Sequence, residues 1–538
     1  MKIKLVLALA LVALFFSSCQ KKPEELKYLP ETANFVLTFL PKQLQQESGV
    51  DNFSQTKAYH NILKKLDTKQ KELFLNYNYI FDNTEESGID LNKNIFFFGS
   101  SNSNGYHQST GFVVFIKSPD KFKLLMENLI SSASDSMEII EKNGMHYLIS
   151  TKVNPRKILV WNNTVALANF RIKGRSSTPI LMTAINKMMQ QKINNSLASN
   201  KDFLDFYSHR QDFSFWYSSA MLMDKLPLKY RAVAQMQMPI SLNGIYFHQY
   251  LRFDKGEIVL QSALVLPDEL KNFLKKYKIV KPHFDKKMLG FIPNKSILNI
   301  SFAINPSELL RMIRDLYAER QIDTKGMEQL FEVASNIKLD RVFKALSGDC
   351  VFNINNVEFV DTHYNGTQGK DSLHCHANKK LKWLFSTVIK LDDEQVYLWL
   401  LDQIDNNKIK MPDGYFVLGN NPNNRLFASL KEHYVMITNQ KDLIENFVGN
   451  TPLSNSLMHS EIAEHLTNYA IYAQLDMDYS TYPNNMQLYF DSIYSHGRGL
   501  LFKNKLSQIR FEPKDSYTND IIVDFKDDSV NSLRQIME

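Results

Sequence analysis

The sequence predicts an α+β protein built from two tandem copies of one strand-rich unit, with antiparallel hairpins and inserted helices. Short runs of apolar and β-branched residues flank turn dipeptides such as Asn-Gly, which favours antiparallel hairpins. The same landmarks return in the same order about 255–275 residues later along the chain. The regular strand–helix alternation of a doubly wound fold is absent, as are Gly-x-Gly-x-x-Gly and Walker-type loops.

A secretory signal is predicted at the start of the chain, over residues 1–18. Two lysines precede an apolar run that is well short of the ~20 residues needed to span a membrane. The run ends on Ser17-Ser18-Cys19, which is similar to a bacterial lipobox. We therefore expect cleavage before Cys19 and attachment of a diacylglycerol to its thiol. Residues 19–27 are mostly polar and are predicted to form a short tether.

The composition is that of an ordinary globular protein, with 44% hydrophobic and 22% charged residues among 538. No second long apolar run occurs, so the lipid on Cys19 is the only membrane attachment that we expect. The net charge of +6 is small, and Lys and Arg are interspersed with Asp and Glu. Together with export, this argues against a nucleic-acid partner. Beyond Cys19, only Cys350 and Cys375 remain, too few for a disulfide framework.

The first predicted copy covers residues 28–276. Asn104-Gly105 is the predicted centre of its first hairpin, because Asn-Gly readily takes the two positive φ angles of a type I′ turn. Asn143-Gly144 is predicted to begin a further pair of strands. Strands are predicted at 34–39, 95–98, 111–116, 145–150, 157–169 and 212–217, and helices from about 42, at about 56–76, from 118 and at 267–276. The polar, proline-containing residues 277–287 are the predicted linker.

The second predicted copy covers residues 288–538. Its landmarks match the first copy in turn dipeptides, a proline and the change from strand to helix, each of which constrains the backbone. The matched pairs are Pro30 with Pro293, Asn104-Gly105 with Asn365-Gly366, Lys117 with Lys390, and Asn143-Gly144 with Asp413-Gly414. We therefore expect both copies to share one strand order and the same helix positions.

Two short sequence motifs of the first copy are similar to those of a known group of proteins. They are the opening Leu29-Pro30 followed by Val36, and Ser87-Gly88-Ile89-Asp90-Leu91 before an aromatic strand. With the lipobox, they make the chain resemble the Bacteroidota lipoproteins of domain-of-unknown-function family 4836. The resemblance implies an exported, lipid-anchored envelope protein and supplies no catalytic residue. In the second copy the matching phrase is the weaker Leu346-Ser347-Gly348-Asp349.

His374-Cys375-His376 is the stretch that most suggests metal chemistry, because His and Cys are preferred zinc ligands. Strand alternation places the two histidines on one face and the cysteine on the other, so the three cannot meet at one ion. A turn at Asn365-Gly366 sets His374 opposite Val357, and no third ligand lies on that face. We therefore interpret the stretch as polar positions on a hairpin end, and we predict neither a metal site nor a cofactor.

The same hairpin register predicts that Cys350 and Cys375 are free thiols. It sets Cys350 opposite Leu381, which lies about 20 Å along the strand from Cys375. A disulfide needs Cα atoms within about 7 Å, so the two thiols are predicted to be too far apart to pair.

Glu461 and His465 are four residues apart on a predicted helix, which is the spacing of an acid–base pair or of two ligands. Alignment with the first copy places His465 where Phe206 stands, and this favours a partly buried structural position. Aromatic residues are plentiful, with 36 Phe and 24 Tyr. The strand or helix patterns around several of them are typical of a core: Phe96, Phe97, Phe98, Trp216, Trp383 and Trp399. No Gly-x-Ser-x-Gly nucleophile motif occurs.

The leading hypothesis is a non-catalytic binding or assembly module, lipid-anchored in the cell envelope at the outer membrane. Its expected partners are the membrane, through the acyl group on Cys19, and an envelope protein or a glycan. One alternative is a hydrolase of envelope or nutrient polymers with a site between the two copies, and another is a carbohydrate-binding lipoprotein. Convergent carboxylates or histidines would indicate an enzyme. An exposed apolar patch would indicate a protein partner, and a row of exposed aromatic rings would indicate a glycan ligand.

Overall fold

The computed structural model describes most of the chain that follows the predicted signal peptide. The described residues are 22–67, 71, 84–101, 108–132, 137–150, 157–173, 178–219, 244–319, 321–361, 379–419, 424–449, 451, 453–484, 486–488 and 505–538. The predicted lipidation residue Cys19, the dipeptides Asn104-Gly105 and Asn365-Gly366, and His374-Cys375-His376 lie outside them.

The described residues form an α+β protein, as predicted, and fall into two compact units. The first unit lies mainly within Met1–Arg231 and Leu242–Arg252, and the second mainly within Phe253–Ile536. No helix in the described part of the chain is long and apolar enough to cross a membrane.

Nine antiparallel strands are described in the first unit. They are β1 Ala33–Phe39, β2 Ile95–Ser101, β3 Gln108–Phe115, β4 Met137–Lys142, β5 Met145–Ser150, β6 Lys157–Trp161, β7 Val165–Lys173, β8 Phe213–Ser218 and β9 Tyr246–Phe253. They pair in the order β4-β5-β6-β7-β3-β2-β1-β8-β9. Asn143 and Gly144 have φ angles of 54° and 72° and turn the chain between β4 and β5, as the dipeptide predicts.

Helices pack on both faces of these strands, because Val113 and its neighbour Val114 point to opposite faces of the sheet and each contacts helical side chains. The helices are α1 Pro41–Ser48, α2 Lys57–Lys65, α3 Pro119–Ser132, α4 Thr178–Gln190 and α5 Lys201–Ser208, with short 3₁₀ helices at Glu24–Tyr28, Phe53–Gln55, Thr84–Ser87, Ile193–Asn195 and Leu197–Ser199. Asn200 caps α5 by accepting hydrogen bonds from the backbone N–H groups of Asp202 and Phe203. The cap orients Phe203 and Phe206 into the core, where they join inward-facing strand residues such as Val36 and Trp216.

The sequence predicts one strand over residues 157–169, but the structure has two. Asn162 Oδ1 accepts hydrogen bonds from the backbone N–H groups of Thr164, at 2.9 Å, and Val165, at 3.0 Å. This local turn reverses the chain between β6 and β7, because a short amide side chain can satisfy turn donors that a strand would leave unpaired.

Eleven antiparallel strands are described in the second unit. They are β10 Glu257–Val265, β11 Leu298–Ala303, β12 Leu346–Asp361, β13 Lys379–Leu391, β14 Ile409–Lys410, β15 Phe416–Leu418, β16 Leu426–Lys431, β17 Tyr434–Thr438, β18 Ile471–Asp476, β19 Leu506–Pro513 and β20 Thr518–Phe525. They pair in the order β14-β15-β16-β17-β13-β12-β11-β18-β19-β20-β10. Nine of these strands, β11 to β19, follow the same order as β1 to β9.

The helices of the second unit, apart from its first and last, fall between strands that match those flanking the helices of the first unit. They are α6 Asp268–Leu274, α7 Pro306–Ala318, α8 Lys325–Ser335, α9 Leu339–Ala345, α10 Glu394–Ile404, α11 Lys441–Val448, α12 Ala463–Asn468 and α13 Ser532–Met537, with 3₁₀ helices at Lys286–Phe291, Leu457–His459 and Tyr479–Thr481. The main core contains Val351, Val388 and Tyr472 from the strands, together with Phe447 and Leu466 from α11 and α12.

The two matched prolines have the same backbone environment. Pro30 bridges Ser196, and Pro293 bridges Ser456. Each serine is buried and precedes a 3₁₀ helix whose first N–H donates to the residue before the proline: Leu197 N to Leu29 O, at 3.1 Å, and Leu457 N to Ile292 O, at 2.8 Å. This shared environment of the two prolines, together with the shared strand order, supports the predicted duplication. The duplication itself stays a prediction.

The two long hairpins differ in how well the sequence predicts their register. In the first unit Phe96 pairs with Val113 and Ser101 with Gln108, as a turn centred on Asn104-Gly105 requires. In the second unit the predicted register is wrong, because Cys350 pairs with Ile389 and Val357 with Trp383. The observed register puts the fully buried side chains of Val351 and Val388 opposite each other. Burial of this face therefore favours the observed register over the predicted one.

Residues 277–287, the predicted linker, pack against the second unit. Tyr277 and Phe284 are buried. The backbone of Lys281 donates to Ala303 O, and Ile279 O accepts a hydrogen bond from the backbone N–H of Asn305. These contacts tie the segment to the end of β11 and to the start of α7.

Candidate functional site

The predicted zinc-like stretch is not among the described residues, but the cysteine of its partner strand is. Cys350 is buried and is a free thiol, as predicted. The predicted register of β12 against β13, on which the prediction of a free thiol rests, is wrong. Burial, rather than distance from Cys375, explains why the Cys350 thiol is unreactive. Burial raises the pKa of the Cys350 thiol to about 12, so it stays protonated and a poor nucleophile or ligand.

Glu461 and His465 do not form the predicted pair on one helix. Glu461 lies before the first residue of α12, and only His465 belongs to the helix. The predicted burial of His465 is also wrong, since its side chain is exposed and stacks on Tyr472. Leu466, the next residue, points into the core instead. The alignment of His465 with Phe206 is therefore wrong, because Phe206 is fully buried whereas His465 lies on the exposed side of its helix.

The predicted aromatic core is correct for some positions and wrong for others. Phe96, Phe98 and Trp216 are almost completely buried. Phe97 is 38% exposed and Trp383 is 41% exposed. Phe97 points away from the core because side chains alternate along β2, and Trp383 lies on the outward side of β13.

A buried polar cluster lies between α5 and the strands β8 and β9. Trp216 Nε1 donates a hydrogen bond of 2.8 Å to Asp202 Oδ2, and His248 Nε2 lies 3.1 Å from the same oxygen. His248 Nδ1 lies 3.4 Å from the Tyr250 hydroxyl. Burial raises the pKa of that hydroxyl, and the Asp205 and Asp202 charges add to the effect. His248 is only 3% exposed, so the cluster links helix to sheet and offers no surface to a substrate.

A charged cluster occupies β19 and β20 of the second unit. Arg510 makes a bidentate ion pair with Asp524, at 2.8 and 3.0 Å, and contacts Glu512 at 2.5 Å. Lys514 Nζ lies 3.4 Å from Asp520 and 3.8 Å from Glu512. Every carboxylate in this cluster therefore faces a cation, which is the pattern of a structural network rather than of a catalytic pair.

Among the described residues, no group of three or more His, Cys, Asp or Glu side chains could hold a metal ion.

The feature that stands out on the surface is an apolar stripe on α8, formed by Met327, Leu330 and Val333. These side chains are 54%, 71% and 84% exposed. They are spaced three residues apart, so they lie along one side of the helix. No residue of α8 is buried, although the helix contains several large apolar side chains. An apolar stripe of this kind on a described surface is typical of a protein-binding site.

Arg314 of α7 holds α8 in place through ion pairs. Its guanidinium binds both carboxylate oxygens of Glu328, at 2.8 and 2.7 Å, and both of Asp340, at 2.8 and 2.9 Å. The hydrogen bonds from Arg314 lower the pKa of Asp340. Asn336, with a φ of 54°, ends the helix. Arg314 thus ties the first turn of α8 to α7 and to α9, while the apolar stripe of α8 faces outward.

A groove of about 710 Å³ runs between α8 and α10 on another side of the helix. Trp399 and Leu398 contribute apolar surface, and the Trp399 indole N–H has no hydrogen-bond partner in the described part of the chain. Four carboxamide side chains line the same groove: Asn336, Gln395, Gln403 and Asn406. Charges of both signs are present, so the groove suits a neutral polar ligand better than an ion.

A family model described as "Domain of unknown function (DUF4836)" matches residues 27–533. The chain belongs to the DUF4836 family. The predicted membership of domain-of-unknown-function family 4836 is therefore confirmed. No curated protein matches this DUF4836 chain.

Solved structures similar to part of this DUF4836 chain include crystal forms IV and I of TP0453. Crystal form IV is 12% identical, with a TM-score of 0.26, over 47% of this chain and 85% of the other. Crystal form I is 11% identical, with a TM-score of 0.25, over 48% of this chain and 85% of the other. TM-scores of this size support no structural argument.

Sequence reasoning missed the α8 stripe and the groove of this DUF4836 protein. The apolar spacing of α8 gave a usable signal for an amphipathic helix. The same spacing of apolar residues occurs in a helix that packs on its own core and in a helix that binds a partner. The spacing therefore does not predict whether the apolar side is exposed.

Proposed function

We propose that the protein is an exported cell-envelope protein, lipid-anchored at the outer membrane through Cys19, that acts as a non-catalytic module binding a protein partner. The proposed partner presents an apolar segment to the α8 stripe. The anchoring part of the proposal is supported by the lipobox-like Ser17-Ser18-Cys19 at the end of a short apolar run.

The single observation that carries the binding part is the exposure of Leu330 and Val333 on a helix that is otherwise fixed. Each large aliphatic side chain gains about 1.5–3 kcal/mol when it is fully buried. The ion pair between Arg314 and Glu328 of α8 helps to hold the stripe in its outward orientation, so a partner would not have to order the helix first. Aliphatic side chains of this kind pack well against a protein and poorly against a sugar.

A second candidate function, carbohydrate binding, is favoured by one observation in the same unit. The groove beside α8 combines the Trp399 ring with four carboxamide side chains and has no dominant charge. An aromatic ring with planar hydrogen-bonding groups is suited to the apolar faces and hydroxyls of a neutral glycan. The groove and the stripe lie on different sides of α8, so the two candidates can be tested at separate positions.

The experiment that tests the proposal is site-specific photocrosslinking in intact cells. A photoreactive residue replaces Leu330 in the stripe, and the matched control carries it at Glu332, an exposed position of the same helix that faces the groove. A third variant carries it at Gln403. We expect one discrete protein adduct from position 330 and no such adduct from position 332.

Three outcomes would contradict this expectation. Adducts of equal yield at positions 330 and 332 would show non-specific collision. Lipid adducts at 330 would show that the stripe faces the membrane. A glycan adduct confined to Gln403 would replace the protein partner with the carbohydrate candidate. The anchoring part is tested separately, because Cys19→Ala should abolish acylation, as read by intact mass, and should either leave the protein unprocessed by the lipoprotein peptidase or release it from membranes in high salt.

A further inference from the structure

The first unit contains a long segment with an unusual distribution of charge. Residues 142–201 contain ten Lys and Arg residues and no Asp or Glu. Elsewhere in the chain the two signs are mixed, so this run is an exception to the interspersed pattern noted from composition. It includes β5 to β7 and α4, and it ends at the first residue of α5.

The N-terminal segment packs on the last part of this basic run. Lys22 Nζ donates to Asn194 Oδ1 at 3.2 Å. Gln191 Nε2 donates to the carbonyl oxygens of Lys27 and, at 3.0 Å, Leu29. Leu26 is completely buried. The chain that leaves the predicted lipidation site therefore joins the folded unit at the end of α4.

The distance from the lipid to this surface is short. Seven residue steps separate Cys19 from the buried Leu26. Even a fully extended chain of that length spans only about 25 Å. A lipid on Cys19 would therefore keep the end of α4 within a few nanometres of the bilayer surface.

Exposed lysines are present where the chain joins the unit. Lys187 lies on the last turn of α4, Lys192 follows the helix, and both side chains are exposed. Lys22 and Lys27 add two further cations from the N-terminal segment. The carboxylates on that segment are Glu24, which lies 3.8 Å from Lys27, Glu31, and Glu25, which accepts hydrogen bonds from Asn94 and Tyr207. Positive charge therefore predominates at this point of the surface.

We propose that this basic face, defined by Lys22, Lys27, Lys187 and Lys192, rests against the anionic phospholipid headgroups of the membrane that holds Cys19. The inference rests on the lipid anchoring proposed above and adds an orientation to it. The acyl group would supply attachment without specificity, and the lysines would add about five-fold in affinity each at an anionic surface. The first unit, rather than the second, would then face the bilayer.

Lysine footprinting on two kinds of vesicle tests this orientation. The acylated full chain is reconstituted into vesicles of phosphatidylcholine alone or with three-tenths phosphatidylglycerol. A water-soluble amine-acylating reagent is added, and labelling is read at each lysine by mass spectrometry. Lys275 and Lys278, which are exposed in the second unit, serve as the internal control.

We expect Lys187 and Lys192 to label at least three-fold more slowly on the anionic vesicles, with the protection lost in high salt. Lys275 and Lys278 should label equally on both vesicles. Equal labelling of Lys187 on the two vesicles would overturn the proposal, because the acyl group alone holds the protein to either surface.

A charge-reversed variant and the unacylated chain separate this proposal from the anchoring proposal. Lys187→Glu/Lys192→Glu should lose the charge-dependent protection of the remaining basic face, whereas Lys275→Glu/Lys278→Glu should keep it. If intact mass shows no acyl group on Cys19, the anchoring proposal fails. In that case the unacylated chain should still bind the anionic vesicles in a salt-sensitive manner. A complete lack of such binding would overturn the basic face on its own.

Discussion

The two units pair their strands in the same order but differ in the polar contacts that their strands make. In the first unit, Trp216 and His248 of β8 and β9 meet Asp202 of α5 through hydrogen bonds. In the second unit, β19 carries Arg510, which is paired with Asp524 of β20. The core position on β18 is Tyr472, whose buried hydroxyl has no hydrogen-bond partner in the described part of the chain. A common strand path therefore does not require common polar contacts.

The two units also differ in how far their helices bury their large apolar side chains. In the first unit the described helix α5 buries its large aromatic side chains completely. In the second unit α8 buries none of its residues and displays an apolar stripe. The backbone pairing is maintained by the alternation of inward-facing residues, and helix surfaces are free to differ. This contrast favours the second unit as the place of partner binding.

The largest expected effect is a difference in stability between the alanine variants of two tryptophans, both of which the sequence predicts to lie in the core. Trp216→Ala removes a ring that is 1% exposed and leaves Asp202 without its indole donor, so we expect about 3–5 kcal/mol of destabilisation of the first unit. Trp383→Ala, at a position that is 41% exposed, should cost less than about 1 kcal/mol. Denaturant unfolding, followed by circular dichroism, measures both. Equal losses would show that burial does not distinguish the two sites.

A smaller loss is expected when the charged network of the second unit is broken. Arg510→Ala leaves Asp524 and the nearly buried Glu512 without their main cation, and we expect about 3 kcal/mol of destabilisation. Arg425→Ala, at an exposed arginine of the same unit, is the control and should change stability by no more than about 0.5 kcal/mol. If Arg510→Met is as stable as the wild type, the network is dispensable.

The strand path could be predicted from the sequence because its signals are local. The strand at residues 34–39 matches β1 to within one residue, and Asn143-Gly144 turns the chain as its residue types require. The hairpin of β12 and β13 could not be predicted in this way. The Asn365-Gly366 dipeptide predicts the wrong register, and the observed pairing instead places the buried Val351 opposite the buried Val388.

The surface could not be predicted from the same local patterns. His465 and Leu466 are neighbours on α12, and only the tertiary packing decides that Leu466 enters the core. In the same way, the apolar spacing of α8 predicts a helix but does not state what covers its stripe. The basic run over residues 142–201 is different, because it is visible in the sequence by counting charges.

The smallest expected effect is a pH dependence confined to the second unit, in the segment predicted as a linker. Asp285 accepts hydrogen bonds from Lys390 Nζ, at 2.8 Å, and from the Tyr434 hydroxyl, at 2.9 Å. Burial alone would raise the pKa of Asp285, but these hydrogen bonds outweigh it and leave the pKa below its ordinary value. The hydrogen bond from Lys390 to Asp285 raises the pKa of Lys390, although burial opposes it.

A carboxylate with a depressed pKa in the folded state contributes stability above its unfolded pKa, near 4, and loses it as pH falls through the folded value. A lysine with a raised pKa contributes stability below about pH 10 and loses it as pH rises further. We therefore expect Lys390→Met to lower stability at neutral pH and to flatten both the acid and the alkaline limbs of the profile. Lys441→Met, which removes an exposed lysine paired with Glu445, is the control and should leave the acid limb nearly unchanged. Unfolding midpoints measured from pH 3 to pH 11 would show this, and an unaltered acid limb in Lys390→Met would mean that Asp285 does not fasten residues 277–287 to the second unit.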